Sequence, residues 1–424
     1  MALEDYRAEM ERCSQCSYCW YIPLDQIKSW RFSKGCPSVA YNHFNSYSAR
    51  GRYSVSLSLL KGNCEYSPTL LDIAYMCQTC GSCDVACKVC RYNLEPLEAI
   101  HELRARLVED GQVLPQHLAA IESLRQESNM MLQPHGVRSR WAEGLDFKDI
   151  SKGEKAEFVF FAGCKSSYHE TFQKTARSSI SILKNAGVDI GIMGQDESCC
   201  GARAYSMGYR EDFSSCAATL IERWTKAGVR TIVTPCADCY HAFKRLYPKM
   251  GSQFNVLHTV EFINQLVKED KVKFTKTLPM TVTYHDPCHL GRGGEPYVPW
   301  EGVEKKIRKQ VIVYEPKKPR YNGAWGVYEP PRNILKSIPG IELVEMERIR
   351  EYAWCCGAGG GVREGYPQFS QWTASERIEE AKSVGAEAIV SACPWCEDNF
   401  TDAVEAMDEK LKVLDLIDLV SQAL

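Results

Sequence analysis

From residue 156 onward, short apolar runs alternate with stretches in which apolar residues recur at helical spacing. Phe158–Ala162 precedes Tyr168–Asn185, Val188–Met193 precedes Glu211–Ala227, and Thr231–Thr234 precedes Asp238–Leu246. The grammar resumes with Thr281–Tyr284, Ile341–Glu345, the helical Phe369–Ser383, Ala388–Ser391 and Val413–Leu416. Such alternation predicts an α/β fold with parallel sheets. Before residue 134 the pattern is helical instead: Leu97, Ile100, Leu103 and Leu107 share one face of Pro96–Asp110, with Gly111 as a stop. Between 134 and 155 periodicity fades amid Pro, Gly and mixed charge. The expected organisation is a helical unit over 1–133, a linker over 134–155, and two α/β units over 156–272 and 273–424.

The two α/β units are copies of one another. Glu197-Ser-Cys-Cys-Gly201 is echoed by Trp354-Cys-Cys-Gly357, and Lys226–Cys239 aligns without gaps on Ser383–Cys396. In the first copy Cys164 lies 35 residues before Cys199, and Cys236-x-x-Cys239 begins 36 after Cys200. In the second, Cys288 lies 67 before Cys355, and Cys393-x-x-Cys396 begins 37 after Cys356. The surplus of 32 residues marks an insert over 294–325. Cys164, Cys236, Cys288 and Cys393 each sit just past a predicted strand, at the sheet edge where α/β folds collect ligands.

Composition narrows the chemistry. Charges nearly balance, with 51 basic and 54 acidic residues, so nothing calls for nucleic acid. The opening MALEDYRAEMERC has no apolar core, and no run is long enough to span a bilayer, which points to a cytoplasmic chain whose membrane association, if any, comes through a partner. Twenty-one cysteines in a long chain of that kind are metal ligands rather than disulfides.

Cys13-x-x-Cys16-x-x-Cys19, then Cys36-Pro37, and Cys77-x-x-Cys80-x-x-Cys83-x-x-x-Cys87 follow the spacing by which three thiolates wrap one corner of a 4Fe–4S cubane, the fourth ligand coming from the other motif. This predicts one set of Cys13, Cys16, Cys19 and Cys87, and another of Cys77, Cys80, Cys83 and Cys36. Structural zinc would predict pairs rather than triplets. Cys90, three beyond Cys87, competes for that fourth position, and the gap from Cys19 to Cys36 marks an inserted loop. Five cysteines per repeat exceed the four terminal ligands of a cubane, and adjacent cysteines reach different irons, so an opened-out cluster with bridging thiolate is the economical solution.

This layout resembles the CCG-domain family typified by heterodisulfide reductase, in the arrangement of its B-type or D-type chain with a ferredoxin-like segment fused ahead. The resemblance implies two cubane and two noncubane 4Fe–4S clusters. One noncubane site would use Cys164, Cys199, Cys200, Cys236 and Cys239, and the other Cys288, Cys355, Cys356, Cys393 and Cys396. It further implies an electron-transfer subunit of an anaerobic multi-subunit complex, alongside a flavin-containing (heterodisulfide reductase A-like) subunit and other iron–sulfur subunits, with a small disulfide or thiol as possible substrate. The alternative is a pure relay feeding a separate catalytic subunit, such as a class II benzoyl-CoA reductase or a 2-hydroxy-acid oxidase.

Several features carry less. His285 and His289 flank Cys288 and are candidate proton donors to a leaving thiolate, against the commoner role of satisfied structural histidines. Gly359-Gly360-Gly361 lacks the Lys and Ser/Thr of a P-loop and is read as backbone passing close to a cluster, as is Gly201. Cys64 and Cys216 receive no ligand role. The insert holds seven basic residues and is expected to dock another subunit, with ligand contact as the second choice.

Overall fold

The structure, a computed structural model, describes residues 2–89, 94–307 and 311–424. Helices dominate the first part: Ala49–Leu60, Pro68–Tyr75, Ser82–Val89, Pro96–Glu109 and Pro115–Glu127. Three of these five begin with proline, whose fixed φ and missing N–H suit a first turn.

The first sheet contains β1 (Lys148–Asp149), β2 (Phe158–Phe160), β3 (Ile190–Ile192), β4 (Thr231–Thr234) and β5 (Asn255–His258), ordered β1-β3-β2-β4-β5 and parallel throughout. There follow β6 (Met280–Tyr284), the antiparallel hairpin β7 (Val303–Ile307) and β8 (Val311–Glu315), then β9 (Ile341–Leu343), β10 (Ala388–Ser391) and β11 (Lys412–Asp415). The second sheet is ordered β11-β10-β6-β9, again all parallel. Read from the other edge, β9-β6-β10-β11 repeats β3-β2-β4-β5 strand for strand, so the duplication seen in the cysteines is a duplication of topology. The α/β expectation therefore holds. The hairpin lies within the insert and, among the described residues, pairs with neither sheet.

Stretch 134–155 contributes more than a tether. Lys148–Asp149 pairs with Gly191–Ile192, and Arg138 and Trp141 are buried against the first sheet unit. The inserted loop between Cys19 and Cys36 closes on itself through a Tyr21–Lys34 bridge. It then docks on the second sheet unit, where Arg348 Nη1 donates to the Lys34 carbonyl at 2.9 Å and Arg31 forks onto Glu376.

Arg104, on the helix Pro96–Glu109, ties all three parts together. Its fully buried guanidinium donates to the carbonyls of Ala74, Tyr75 and Cys77 in the helical unit, of Ser206 in the first repeat and of Gly360 in the second. The glycine triplet explains itself here. A Cβ on Gly359 would meet the Gln78 carbonyl at 2.5 Å, on Gly360 the Cys77 carbonyl at 2.6 Å, and on Gly361 the His117 ring at 2.5 Å. These glycines admit the backbone and side chains of the helical unit, among them the carbonyl of Cys77.

Candidate metal centre

Two cavities in the helical unit are lined by cysteine sets. Cys13, Cys16, Cys19 and Cys87 line one, with Tyr53 and Leu94 beside them. Cys36, Cys77, Cys80 and Cys83 line the other, with Ala49 and Ile100 among the apolar wall. Each cavity thus takes three cysteines from one motif and one from the other. Cys90 lies outside the described residues. Burial pushes the Cys36 thiol up to about 12 and the Cys19 thiol up to about 11, so both are neutral thiols that ionise only when a metal takes the sulfur.

In the first sheet unit, strand ends deliver the cysteines. Cys164 lies in the helix Gly163–Tyr168 after β2, Cys236 caps the helix Ala237–His241 after β4, and Cys199-Cys200 follow β3. Their thiols form one chain: Cys164 contacts Cys199, Cys200 contacts Cys239 at 3.4 Å, and Cys239 contacts Cys236. The second unit repeats this, with Cys355 on Cys288, Cys356 on Cys396 and Cys396 on Cys393. Gly201 N–H points at Cys199 Sγ and Gly357 N–H at Cys355 Sγ, both at 3.4 Å.

The missing side chain of neither glycine has a thiol as its nearest neighbour. A Cβ on Gly201 would meet Cys216 and Phe213 at 3.1 Å, and one on Gly357 would meet the Ser370 carbonyl at 2.4 Å. The glycine that does give way to a thiol is Gly163, where a Cβ would lie 3.0 Å from Cys239 Sγ. Both CCG glycines have positive φ, 73° and 98°. Gly357→Ala is therefore expected to cost about 3 kcal/mol, and Gly201→Ala about half that, because a Cβ on Gly357 would clash with the Ser370 carbonyl at 2.4 Å whereas the nearest atoms at Gly201 lie at 3.1 Å. Thermal unfolding of the two variants under argon checks the order; equal losses would show that the carbonyl clash is relieved.

The cysteine sets also touch one another. Cys80 of the helical unit contacts Cys355 of the second repeat, and this hydrogen bond holds the Cys80 thiol down to about 6. Cys236 of the first repeat contacts Cys393 of the second. Three of the four sets form a continuous line, from Cys36/Cys77/Cys80/Cys83 through the second repeat to the first.

Buried cations flank this line. Arg138 pairs with Glu197 at 2.9 Å and lies 3.6 Å from Cys164 Sγ; Glu197 in turn accepts from the N–H groups of Ala162 and Gly163. Arg292 donates to the carbonyls of Cys80, Glu351 and Ala353, and Arg377 bonds His285. Among the described residues, Arg138 Nε, Arg292 Nη2 and Arg377 Nη2 are buried without a hydrogen-bond partner. Orphaned donors beside cysteine sets fit a bound anionic group such as a thiolate-ligated iron–sulfur cluster.

The two histidines differ. His285 is buried 4.8 Å or less from the Cys356 and Cys396 thiols; burial lowers its pKa, and its Nδ1 accepts from Arg377 at 3.2 Å. That suits a metal-side ligand or hydrogen-bond donor rather than a titrating acid. His289 bonds Asp238 Oδ1 at 2.7 Å and stacks on His241 at 4.7 Å. Burial opposes its charge, but Cys288 and Asp238 outweigh burial and raise His289 to about 10. Since Asp238 belongs to the first repeat and His289 to the second, this bond crosses between them.

Arg138 and Arg292 escaped the sequence reading because nothing in their spacing announces them, and Glu197 and Asp238 were given no role although they sit inside Glu197-Ser-Cys-Cys-Gly201 and Cys236-Ala-Asp-Cys239. Cys64 stands apart from the four sets, and Cys216 borders one of them. Cys216 packs beside Cys164 and Cys199 in an apolar cluster, and Cys64 packs against the helical core.

The cysteine-rich domain model named CCG matches residues 158–244 and 282–401. The chain is 30% identical to the D-type chain of the dihydromethanophenazine:CoB–CoM heterodisulfide reductase of Methanosarcina acetivorans, across 98% of this chain and 94% of that protein. It is also 30% identical to a probable iron-sulfur-binding oxidoreductase, FadF, of Bacillus subtilis, across 91% of this chain and 52% of that protein. The B-type chain of the fumarate reductase (CoM/CoB) of Methanothermobacter marburgensis is 29% identical over 82% of this chain and 61% of its own length.

Proposed function

The chain belongs to the CCG cysteine-rich family as a heterodisulfide-reductase-like iron–sulfur oxidoreductase subunit, and on that premise we propose that it conducts electrons along a line of four clusters to a small disulfide or a comparable acceptor. The observation that carries this reading is the pair of thiol contacts Cys80–Cys355 and Cys236–Cys393, which join three of the four cysteine sets. The two four-cysteine cavities would hold 4Fe–4S cubanes, and each five-cysteine set a noncubane 4Fe–4S cluster; these groups supply one-electron storage and transfer. Their relatives' membership of multi-subunit complexes supports a flavin-containing partner as the electron source. Among the described residues no helix is long and apolar enough to cross a membrane, so a membrane link would run through that partner.

Cleaving a disulfide takes two electrons and two protons and releases two thiols. The chain's own contribution is positional. Arg138 and Arg292 hold positive charge against the cysteine sets, and the His289–Asp238 pair keeps a proton where the two repeats meet. A relay is the second reading, favoured by one observation: Cys236 and Cys393 are 3% and 2% exposed, so their junction is closed to solvent. Anaerobic stopped-flow separates the two. Chain reduced by viologen and mixed with a disulfide should reoxidise alone, releasing two thiols per disulfide; reoxidation only after a partner protein is added would make it a relay.

A further inference from the structure

The duplication lets one repeat serve as the control for the other. Phe161 lies three residues before Cys164, and His285 three before Cys288. Each takes the same place at a strand end: Phe161 N–H donates to the Val233 carbonyl and His285 N–H to the Val390 carbonyl, both at 2.8 Å. Each ring packs edge-on against a phenylalanine four residues beyond the last cysteine, Phe161 on Phe243 at 4.9 Å and His285 on Phe400 at 4.8 Å, both at 89°. The exchange extends one layer further. Leu220 stands sixteen residues before Cys236, and Arg377 sixteen before Cys393; all four exchanged side chains are buried.

In the first repeat this position is hydrocarbon with nothing to donate. In the second it is polar. Arg377 Nε donates to His285 Nδ1 at 3.2 Å, so the proton of the neutral ring sits on Nε2. The ring lies within 4.8 Å of the Cys356 and Cys396 sulfurs, and His285 is hydrogen-bonded to Cys356. Behind it, Arg377 and Arg348 share the one carboxylate of Glu380, leaving this buried group with an excess positive charge. Asp286, the next residue, is already forked by Arg332 at 2.7 and 2.9 Å. The arginines beside the leading cysteines differ in the same sense. Arg138 is paired with Glu197, whereas Arg292 bonds three carbonyls and, among the described residues, no carboxylate.

We propose that His285 sets the reduction potential of the second five-cysteine set, its N–H donating to the Cys356 sulfur so that this set takes an electron before the first does. Hydrogen bonds to sulfur and positive surroundings both favour the reduced, more negative state of an iron–sulfur cluster. The second set lies between the Cys36/Cys77/Cys80/Cys83 set and the first repeat, so the electron is held midway along the line. His285 acts through Cys356 as a positioning residue and keeps its proton. The inference rests on the proposed function and gives its line an order of filling.

The test is an anaerobic redox titration of the holoprotein read by electron paramagnetic resonance, with the signals of the repeats assigned by Cys164→Ser and Cys288→Ser. In the parent the second-repeat signal is expected to appear first. His285→Phe gives the second repeat the residue of the first. Bound iron should be unchanged, and the reduction equilibrium of the second set should fall about tenfold, about 59 mV for one electron, while the first stays in place. His285→Gln, whose amide accepts from Arg377 and donates to sulfur, should restore most of that shift. A first-repeat signal that appears first in the parent, an unshifted His285→Phe, or a glutamine variant that behaves as the phenylalanine one would each overturn the proposal. Should His285→Phe fail to load iron, the parent's order of filling and the glutamine variant still decide it. Iron confined to the helical unit would end the proposed function itself; iron in both repeats with equal potentials would end this inference alone.

Discussion

Arg104→Met is expected to lower stability by about 4 kcal/mol and to loosen the helical unit from both repeats. The guanidinium is fully buried and donates to five carbonyls, three within the helical unit, one at Ser206 and one at Gly360. Burying the charge is itself expensive, and desolvation lowers the Arg104 pKa accordingly. That cost is part of the parent's stability and returns when the charge is removed. Methionine nevertheless leaves the carbonyls of Ala74, Cys77, Ser206 and Gly360 without this donor, at about 1–3 kcal/mol each before relaxation, so the loss exceeds the gain, while the Tyr75 carbonyl keeps the Cys77 N–H. Because a chain of several units need not unfold in one step, the readout is the midpoint of anaerobic thermal unfolding, expected to fall by several degrees. Arg104→Lys should recover only part, since an ammonium cannot reproduce the fork. An unchanged midpoint for Arg104→Met would mean that the units are held by apolar packing alone.

Cys83→Ala should cost the protein about four irons and interrupt electron entry to both repeats. Cys83 shares a cavity with Cys36, Cys77 and Cys80. Of these four, Cys80 is the one whose thiol reaches across to Cys355. Removing Cys83 therefore empties the set without disturbing the second repeat, and the spectroscopic signals of the repeats should survive but respond slowly to an external donor. Cys80→Ala is expected to do more. From the sequence alone it should spare the repeats, but the Cys80–Cys355 contact predicts that it also perturbs the second five-cysteine set. Electron paramagnetic resonance of the two variants, each reduced in stages, distinguishes them. Identical repeat signals in both would remove Cys80 from the junction.

Much of this arrangement was legible in the residues. Phe158–Phe160, Thr231–Thr234 and Ala388–Ser391 are short apolar runs bounded by polar or turn residues, and buried parallel strands read that way. Lys148–Asp149 and Asn255–His258 went unseen for an opposite reason. The first is a polar edge strand with no apolar signature, and the second carries only Val256 and Leu257. The two four-cysteine sets followed from ferredoxin-type spacing, and the two five-cysteine sets from the resemblance to the CCG-domain family. How the sets meet did not follow. Cys80–Cys355, Cys236–Cys393 and His289–Asp238 each join segments from different units, and their proximity depends on how those units dock. The buried arginines were equally silent, since charge in a sequence reads first as surface.

The insert shows the same limit from another side. Its basic residues suggest a docking face, but nothing in their spacing announces that Lys318 leans towards Glu95 or that Tyr297, Trp300 and Tyr321 line a cleft.

The central claim is that all four cysteine sets hold iron–sulfur clusters and form one conducting line. Iron and acid-labile sulfide, determined together with Mössbauer spectroscopy on protein prepared under strict anaerobiosis with iron-57, test it most directly. The account predicts about 16 irons and as many sulfides per chain, divided equally between a cubane-type class and a second class from the five-cysteine sets. Tightly bound zinc in place of iron, or iron confined to about eight atoms of the cubane class, would contradict it.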